Sequence, residues 1–502
     1  MVAAGRLFKL FCRYTLLSAA TLSITLGVPG KSEAVNPAAL VADINGTATS
    51  SLGLTGAVLA TLNGTTFFAA DDGVHGMELW QSDGTAAGTV MIKDIVPGPA
   101  SSNPGFFTVA NSRLFFSADD GVHGVELWTS DGTDTGTVMV KDLVPGTGSS
   151  YPLGRTIVGS DRLFFLKPSA NGTELWQTDG SEAGTTLIKE IPRQPFNSFQ
   201  QTMVNGTLYF VVDDLLYAEL WKSDGTDAGT VLVRPLNGPI NQLQGCNGLL
   251  FYADATEFYT NSPMRLWKSD GSTAGTVIVK ALNLVDSPTL ACLNDAVYFA
   301  ASQPADGAEL WRSDGTDAGT TQVSDIEPGS TGSSPQLITA ANGSIYFTAV
   351  TGSYGRELWK SDGTAGGTLL VKDLTPGSSG STVDRLVTAN DKLFLRLQQG
   401  SYAELWQSDG TAAGTRYLQN FYQTTQLYAP DNFTTAGTTI FFSAGDQQHG
   451  IELWSLQAVD APISTILSPT TNSVTGGSLT LTGTASADAS TSLVRVEVST
   501  DG

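Results

Sequence analysis

The chain has 502 residues, 41% of them hydrophobic and 15% charged, with 55 glycines and a formal net charge of −22. This composition excludes a disordered chain, and the charge excludes nucleic acid as a partner, because its phosphates would be repelled. The length is ample for more than one domain, and the wealth of Gly, Thr, Ser and Val favours strands and turns.

Residues 1–34 read as a secretory signal peptide. Arg6, Lys9 and Arg13 form a basic start, residues 14–28 an apolar run, and Ser32-Glu33-Ala34 a small-residue cleavage site. An uncleaved anchor is the alternative. No later stretch approaches the ~20 apolar residues of a membrane helix, so no membrane span is expected in the mature chain. The expected location is secreted or at the cell surface.

From there the sequence repeats. The phrase Glu78-Leu79-Trp80-Gln81-Ser82-Asp83-Gly84-Thr85-Ala86-Ala87-Gly88-Thr89 returns every 44 to 48 residues. It is marked by Trp80, Trp128, Trp176, Trp221, Trp267, Trp311, Trp359, Trp406 and Trp454, all the tryptophans of the chain. A fixed period of this size signals a propeller, solenoid or array. In the period 104–145, strands are predicted at 105–110, 113–118, 125–129 and 138–143, separated by turn formers. Four short strands per repeat is the pattern of a propeller blade. Each Trp is expected to wedge between blades, with sugar stacking as the functional alternative.

Pairing Trp80 with Met91 across the Asp-Gly turn would set Glu78 opposite Lys93. The same arithmetic pairs Glu126 with Lys141, Glu174 with Lys189, Glu219 with Arg234 and Glu357 with Lys372, and predicts cross-strand ion pairs. It breaks at Arg265, Glu309 and Glu404. Asp-Gly itself suits a tight turn; calcium is the alternative, but most turns carry too few carboxylates.

The last repeat ends at Ile451-Glu452-Leu453-Trp454 without its turn and fourth strand. Residues 40–44 resemble 91–95, so the first strand of the mature chain is expected to complete the last blade and close the ring, removing an exposed edge. The fold class is therefore all-β: a closed β-propeller of about nine four-stranded blades over 38–458, with eight blades as the alternative. Cys246 and Cys292 fall one repeat apart but offset by one residue. That offset points them to opposite faces and favours buried free thiols, with a disulfide as the alternative. Residues 461–502 change pattern and resemble the start of a bacterial immunoglobulin-like β-sandwich, with fewer strands than the ~7 such a fold needs.

The repeat resembles the ELWxxDGT repeat family of secreted bacterial, hyalin-like proteins. The resemblance is carried by Glu126-Leu127-Trp128-Thr129-Ser130-Asp131-Gly132-Thr133 and the following Lys141-Asp142-Leu143-Val144-Pro145-Gly146. Departures are Arg265 for Glu, Ser181 and Ser272 for Thr, and Trp454 with no turn. The resemblance implies a secreted or cell-surface repeat protein and no catalytic residue.

One constellation is uneven. The three histidines, His75, His123 and His449, each stand five residues before a Trp, and each follows an aspartate by three: Asp72, Asp120 and Asp446. The other repeats carry Asn171, Leu216, Ser262, Asp306, Tyr354 and Ser401 there. With the ring closed, these repeats are neighbours. Asp and His side by side suit a metal or an anionic ligand, whereas a retained turn sequence is the plain alternative. No nucleophile elbow, metalloprotease helix or phosphate loop appears. The functional expectation is a non-catalytic binding or adhesion scaffold for an extracellular glycan or protein. Its alternatives are a calcium-dependent adhesin and, further off, a polysaccharide-active enzyme. No cofactor is expected, calcium being the one ion the loops invite.

Overall fold

The computed structural model describes residues 38–457, apart from 53–58, 159–161, 194–199, 214–217, 238–239, 241, 256–263, 286–288 and 423–428. It also describes an antiparallel pair of strands, Ile463–Ser468 and Thr482–Ser486. The signal-peptide reading, and the rest of the immunoglobulin-like reading, lie outside the described residues.

Nine antiparallel sheets stand in a ring, and no helix occurs among the described residues. In blade 1 the strands are Ala60–Leu62, Thr65–Asp71, Met77–Ser82 and Val90–Lys93. Blade 2 repeats them as Gly105–Ala110, Arg113–Asp119, Val125–Ser130 and Val138–Lys141. The first strands of successive blades approach one another all round, and that of blade 9 approaches that of blade 1. They therefore line the axis, and the fourth strands form the rim. The fold is a nine-bladed propeller. The fifth repeat, the least regular in sequence, forms a blade of its own, though its fourth strand is only Val277–Ile278.

Closure follows the expected route. Blade 9 consists of Asp431–Ala436, Thr439–Asp446 and Gly450–Gln457, completed by Ala39–Leu40 with Leu40 opposite Trp454. Val41 N–H extends the pairing to Leu453 O at 2.9 Å.

The core is a series of seams between blades. Second strands such as Thr65–Asp71 bury both faces, with Phe68 at 0% exposure. Trp80 packs with Phe441 and Leu453 of blade 9, and Trp128 with Phe67 and Leu79 of blade 1. Each such Trp is thus a wedge against the preceding blade. An aromatic buried this way stabilises by roughly 2–3 kcal/mol through lost apolar surface alone.

The turn after each Trp is a closed hydrogen-bond unit. Asp83 Oδ1 accepts from Thr85 N–H and its hydroxyl at 2.9 and 2.7 Å; Thr85 Oγ1 accepts from Gly88 N–H at 2.9 Å; Ser82 and Thr89 hydroxyls meet at 2.8 Å. Gly84 has φ +94° and lies 3.2 Å, measured from a built Cβ, from Phe441 of the previous blade. A side chain there would meet both strain and a clash.

Two expectations are corrected. Trp80 does pair with Met91, but Leu79 pairs with Lys93, because a β-bulge lies between them. The bulge recurs in blades 1–4 and 6–8. One extra residue flips the following side chains to the other face, so the Glu–Lys pairs do not form. Lys93 Nζ instead reaches the next blade's turn, 2.8 Å from Asp134 Oδ1. Lys141, Lys189, Lys280 and Lys372 likewise donate to carbonyls of the next turn, at Thr185, Asp227, Thr320 and Thr415. Secondly, Cys246 and Cys292 form a disulfide joining the first strands of blades 5 and 6. The one-residue offset did not turn them apart.

Candidate functional site

The Asp–His loops join the second and third strands of blades 9, 1 and 2. In blade 1, Asp72 Oδ1 accepts the N–H groups of Val74 and His75, both at 2.9 Å, while its Oδ2 meets His75 Nδ1 at 2.7 Å. Blade 2 repeats this in Asp120 and His123, with Oδ2 to Nδ1 again at 2.7 Å. In blade 9 the Asp446–His449 contact is 2.8 Å. The local sequence dictates the geometry: Asp closes an Asx turn over a glycine or polar tip, and the backbone then brings His back to the same carboxylate.

A glycine seats each loop. Gly76 has φ +71°, and a Cβ on it would lie 2.8 Å from Ala100 O of the loop leading to blade 2. Gly124 and Gly450 meet Gly148 O and Ser50 N in the same way. The same inter-blade loop then touches the following blade, where Asp119 N–H donates to Ser102 O at 2.9 Å. Loops 43–52, 71–76, 94–104, 119–124, 142–152 and 446–450 therefore form one continuous belt on one face.

Hydrogen bonding to Asp72 raises the His75 imidazole above its ordinary value, and Asp94 and Glu78 nearby add to this. His123 and His449 are raised for the same reason. Burial pushes Asp72 up, but its bonds from His75 and Val74 outweigh that and hold it below the usual carboxylate range. The three imidazoles are partly exposed, with side chains 36%, 36% and 29% accessible. An imidazole held at Nδ1 by a carboxylate is oriented for proton transfer or ligation through its other nitrogen.

The structure brings each His to its own Asp. It does not gather the six residues at one point: among the described residues no three His, Cys, Asp or Glu side chains form a group that would hold a metal ion. Each pair stands on its own blade.

Sequence reasoning missed the role of the glutamate before each Trp. Glu78 is fully buried and accepts from Ile95 N–H, Ser102 N–H and Ser102 Oγ at 2.9, 2.9 and 2.6 Å. It pins the loop that carries the belt. Glu126, Glu309, Glu357 and Glu452 do the same work in their blades. Glu174, Glu219 and Glu404 instead bond the Nε1 of their own Trp. The signal was present: the pinning blades are those whose fourth strand, or its stand-in at the chain start, is followed by an Asp-Ile or Asp-Leu loop ending in serine. Burial raises these loop-pinning carboxyls, to about 7 for Glu357 and Glu452.

No protein-family model matches the chain, and no curated protein is significantly similar to it. Solved structures resemble it at low similarity. A computationally designed protein, Ika8, is 11% identical with TM-score 0.41, covering 81% of this chain and 99% of that one. Prolyl endopeptidases are 10% identical at 0.43, covering 80% and 56%; puromycin hydrolase is 13% identical at 0.34, covering 74% and 62%. The chain thus spans less than two thirds of the length of those two peptidases, and at these values no activity transfers. The expectation of a non-catalytic scaffold is nevertheless corrected on this finding. Some of the solved structures it resembles are named as peptidases, and a propeller fold without a recognised motif is in itself no ground for calling a chain non-catalytic.

Proposed function

We propose that this chain works outside the cytoplasm as a propeller of the ELWxxDGT type, and that the belt over blades 9, 1 and 2 takes a positively charged segment of an extracellular protein. One observation carries the reading. The six belt loops hold Asp43, Asp71, Asp72, Asp94, Asp119, Asp120, Asp142 and Asp446, and not one Lys or Arg. A field of one sign draws and orients a ligand of the other. Val74 and Val122, 63% and 59% exposed beside His75 and His123, supply apolar contacts. The Asp-held imidazoles place acid–base groups against whatever binds. A glycan is the less suited partner, since the tryptophans that would stack on a sugar are packed between blades.

The test is calorimetric titration of the chain from residue 35 with a Lys-rich and a Glu-rich peptide of equal length, at low and high salt. The Lys-rich peptide is expected to bind, more weakly as salt rises; equal binding of both peptides, or of neither, would end the proposal. Asp72→Lys with Asp120→Lys should abolish binding. The mass of the recovered basic peptide shows whether it is also a substrate.

A further inference from the structure

Two aromatic side chains, one in blade 2 and one in the loop that leaves it, are exposed on backbone that an aromatic residue rarely takes. Phe106 has φ +57° and Tyr151 φ +41°, and they are 55% and 52% exposed. Phe106 belongs to a bulge in Gly105–Ala110: Gly105 pairs with Ser117 and Thr108 with Phe115, so Phe106 and Phe107 together oppose Phe116. Phe107 enters the core beside Phe116, and Phe106 is turned out. At the equivalent bulge, blade 9 has Asn432 at φ +56°, a residue type that tolerates this region. Blade 7 has Leu337, also at +56°, which packs into a seam. Tyr151 follows the pinned Ser150, where the loops after blades 1 and 6 place Asn103 and Ser334. Phe106 and Tyr151 thus carry backbone strain without burial, a combination found where a side chain is displayed rather than packed.

The two residues flank one loop. Gly105 O accepts from Ser117 Oγ at 3.2 Å, on the strand that enters loop 119–124. Tyr151 N–H donates to Val125 O at 3.3 Å, on the strand that leaves it. Asp119 and Val125 stand directly opposite each other. The main chains at Gly105 and Tyr151 are therefore three strand spacings apart, about 14 Å. Between them lie Asp119, Asp120, His123 and the exposed Val122. Outside the fourth strands, the large exposed apolar side chains among the described residues are Val74, Phe106, Val122, Tyr151 and Tyr354. All but Tyr354 are gathered on blades 1 and 2 and the loop that leaves blade 2, where the belt loops carry aspartates and no Lys or Arg.

We propose that Phe106 and Tyr151 select arginine: the partner is an extended basic segment with arginines four residues apart, one guanidinium stacked on each ring. The inference rests on the reading of the belt as a site for a basic segment. Lysine and arginine both suit the charge, but the flat, weakly hydrated guanidinium stacks on an aromatic face better than the ammonium does. Four residues of extended chain span about 13 Å and return to the same face, which matches the spacing of the two residues.

The experiment is calorimetric titration of the chain from residue 35 with two peptides of equal length and charge, one with arginines four apart and one with lysines at the same places, and with a neutral oligosaccharide. Wild type is expected to bind the arginine peptide about tenfold more tightly than the lysine peptide. Phe106→Asn with Tyr151→Asn supplies at both positions a residue that sister repeats carry, so the melting midpoint should be kept. In that variant the arginine peptide should fall to the affinity of the lysine peptide, and the latter should not change. Equal affinity for the two peptides in wild type, or a preference that survives in the double variant, overturns this inference and leaves the belt reading standing. Binding of neither peptide overturns both. Oligosaccharide binding that is lost in the double variant, with no arginine preference, overturns it in favour of a sugar platform.

Discussion

Ser51 donates its backbone N–H to Glu452 Oε1 at 3.0 Å, across 401 residues of sequence. Its hydroxyl bonds the other oxygen of the same carboxylate. This is the Ser102–Glu78 arrangement of blade 1, rebuilt from the two ends of the propeller. Glu452→Ala leaves both Ser51 groups buried without an acceptor, at a cost of about 1–3 kcal/mol per unsatisfied group. Urea unfolding is expected to show that loss. A Glu452→Ala midpoint equal to wild type would mean the latch contributes nothing.

The same carboxyl makes closure pH-dependent. Burial pushes Glu452 up to about 7, from an ordinary 4.5. The folded chain therefore binds more protons than the unfolded one between those values. Its contribution to stability is full below pH 4.5, falls as pH rises through the window, and levels off above 7. The difference amounts to at most about 3 kcal/mol. Stability measured from pH 5 to 8 should fall less steeply in Glu452→Gln than in wild type, and parallel curves would refute this.

The bulge gives a sharp prediction about lysines. Lys93 and Asp134 meet between blades, both partly exposed, so a double-mutant cycle should return a coupling of about 0.2–1 kcal/mol. Glu78 with Lys93 should return none. The reverse pattern would restore the unbulged register.

The Cys246–Cys292 bridge closes a loop of 46 residues. In the chain-entropy account such a loop is worth on the order of 4 kcal/mol. It staples blade 5, whose fourth strand has only two residues. Cys246→Ser with Cys292→Ser should lower the melting midpoint markedly, and a reductant should lower the wild type toward the same value while leaving the double variant unmoved.

Much of this was legible from spacing. The Trp period set the blade count, and the missing half of the last repeat, matched by residues 40–44, set the closure. Strand order within a blade followed from hairpin turns. What spacing concealed was one residue: Ile92, the extra residue opposite the Leu79–Trp80 step, moves Lys93 off Glu78 and onto another blade. A bulge leaves little trace in residue type, because its strand still alternates on either side. The disulfide was hidden for a related reason, since a one-residue offset was weighed as if both inner strands were regular. At the candidate site, the pairing of His75 with Asp72 could be read from the sequence. The use of Glu78 to hold the neighbouring loop could not, because its partner Ser102 lies 24 residues away across an irregular segment.

Because Ala39–Leu40 waits for Gly450–Gln457, the ring cannot shut until almost the whole propeller has been made. At about 5–20 residues per second, the 401 residues between Ser51 and Glu452 take roughly 20–80 s to synthesise. For that time the growing chain is an open arc with a bare edge at its leading blade. Contacts so distant in sequence form slowly. A second chain offers an identical strand at whatever concentration it is present. The characteristic misassembly is then an exchange, in which the first strand of one molecule completes the ninth blade of another. Dilute conditions favour the monomeric ring, and crowded ones linked pairs.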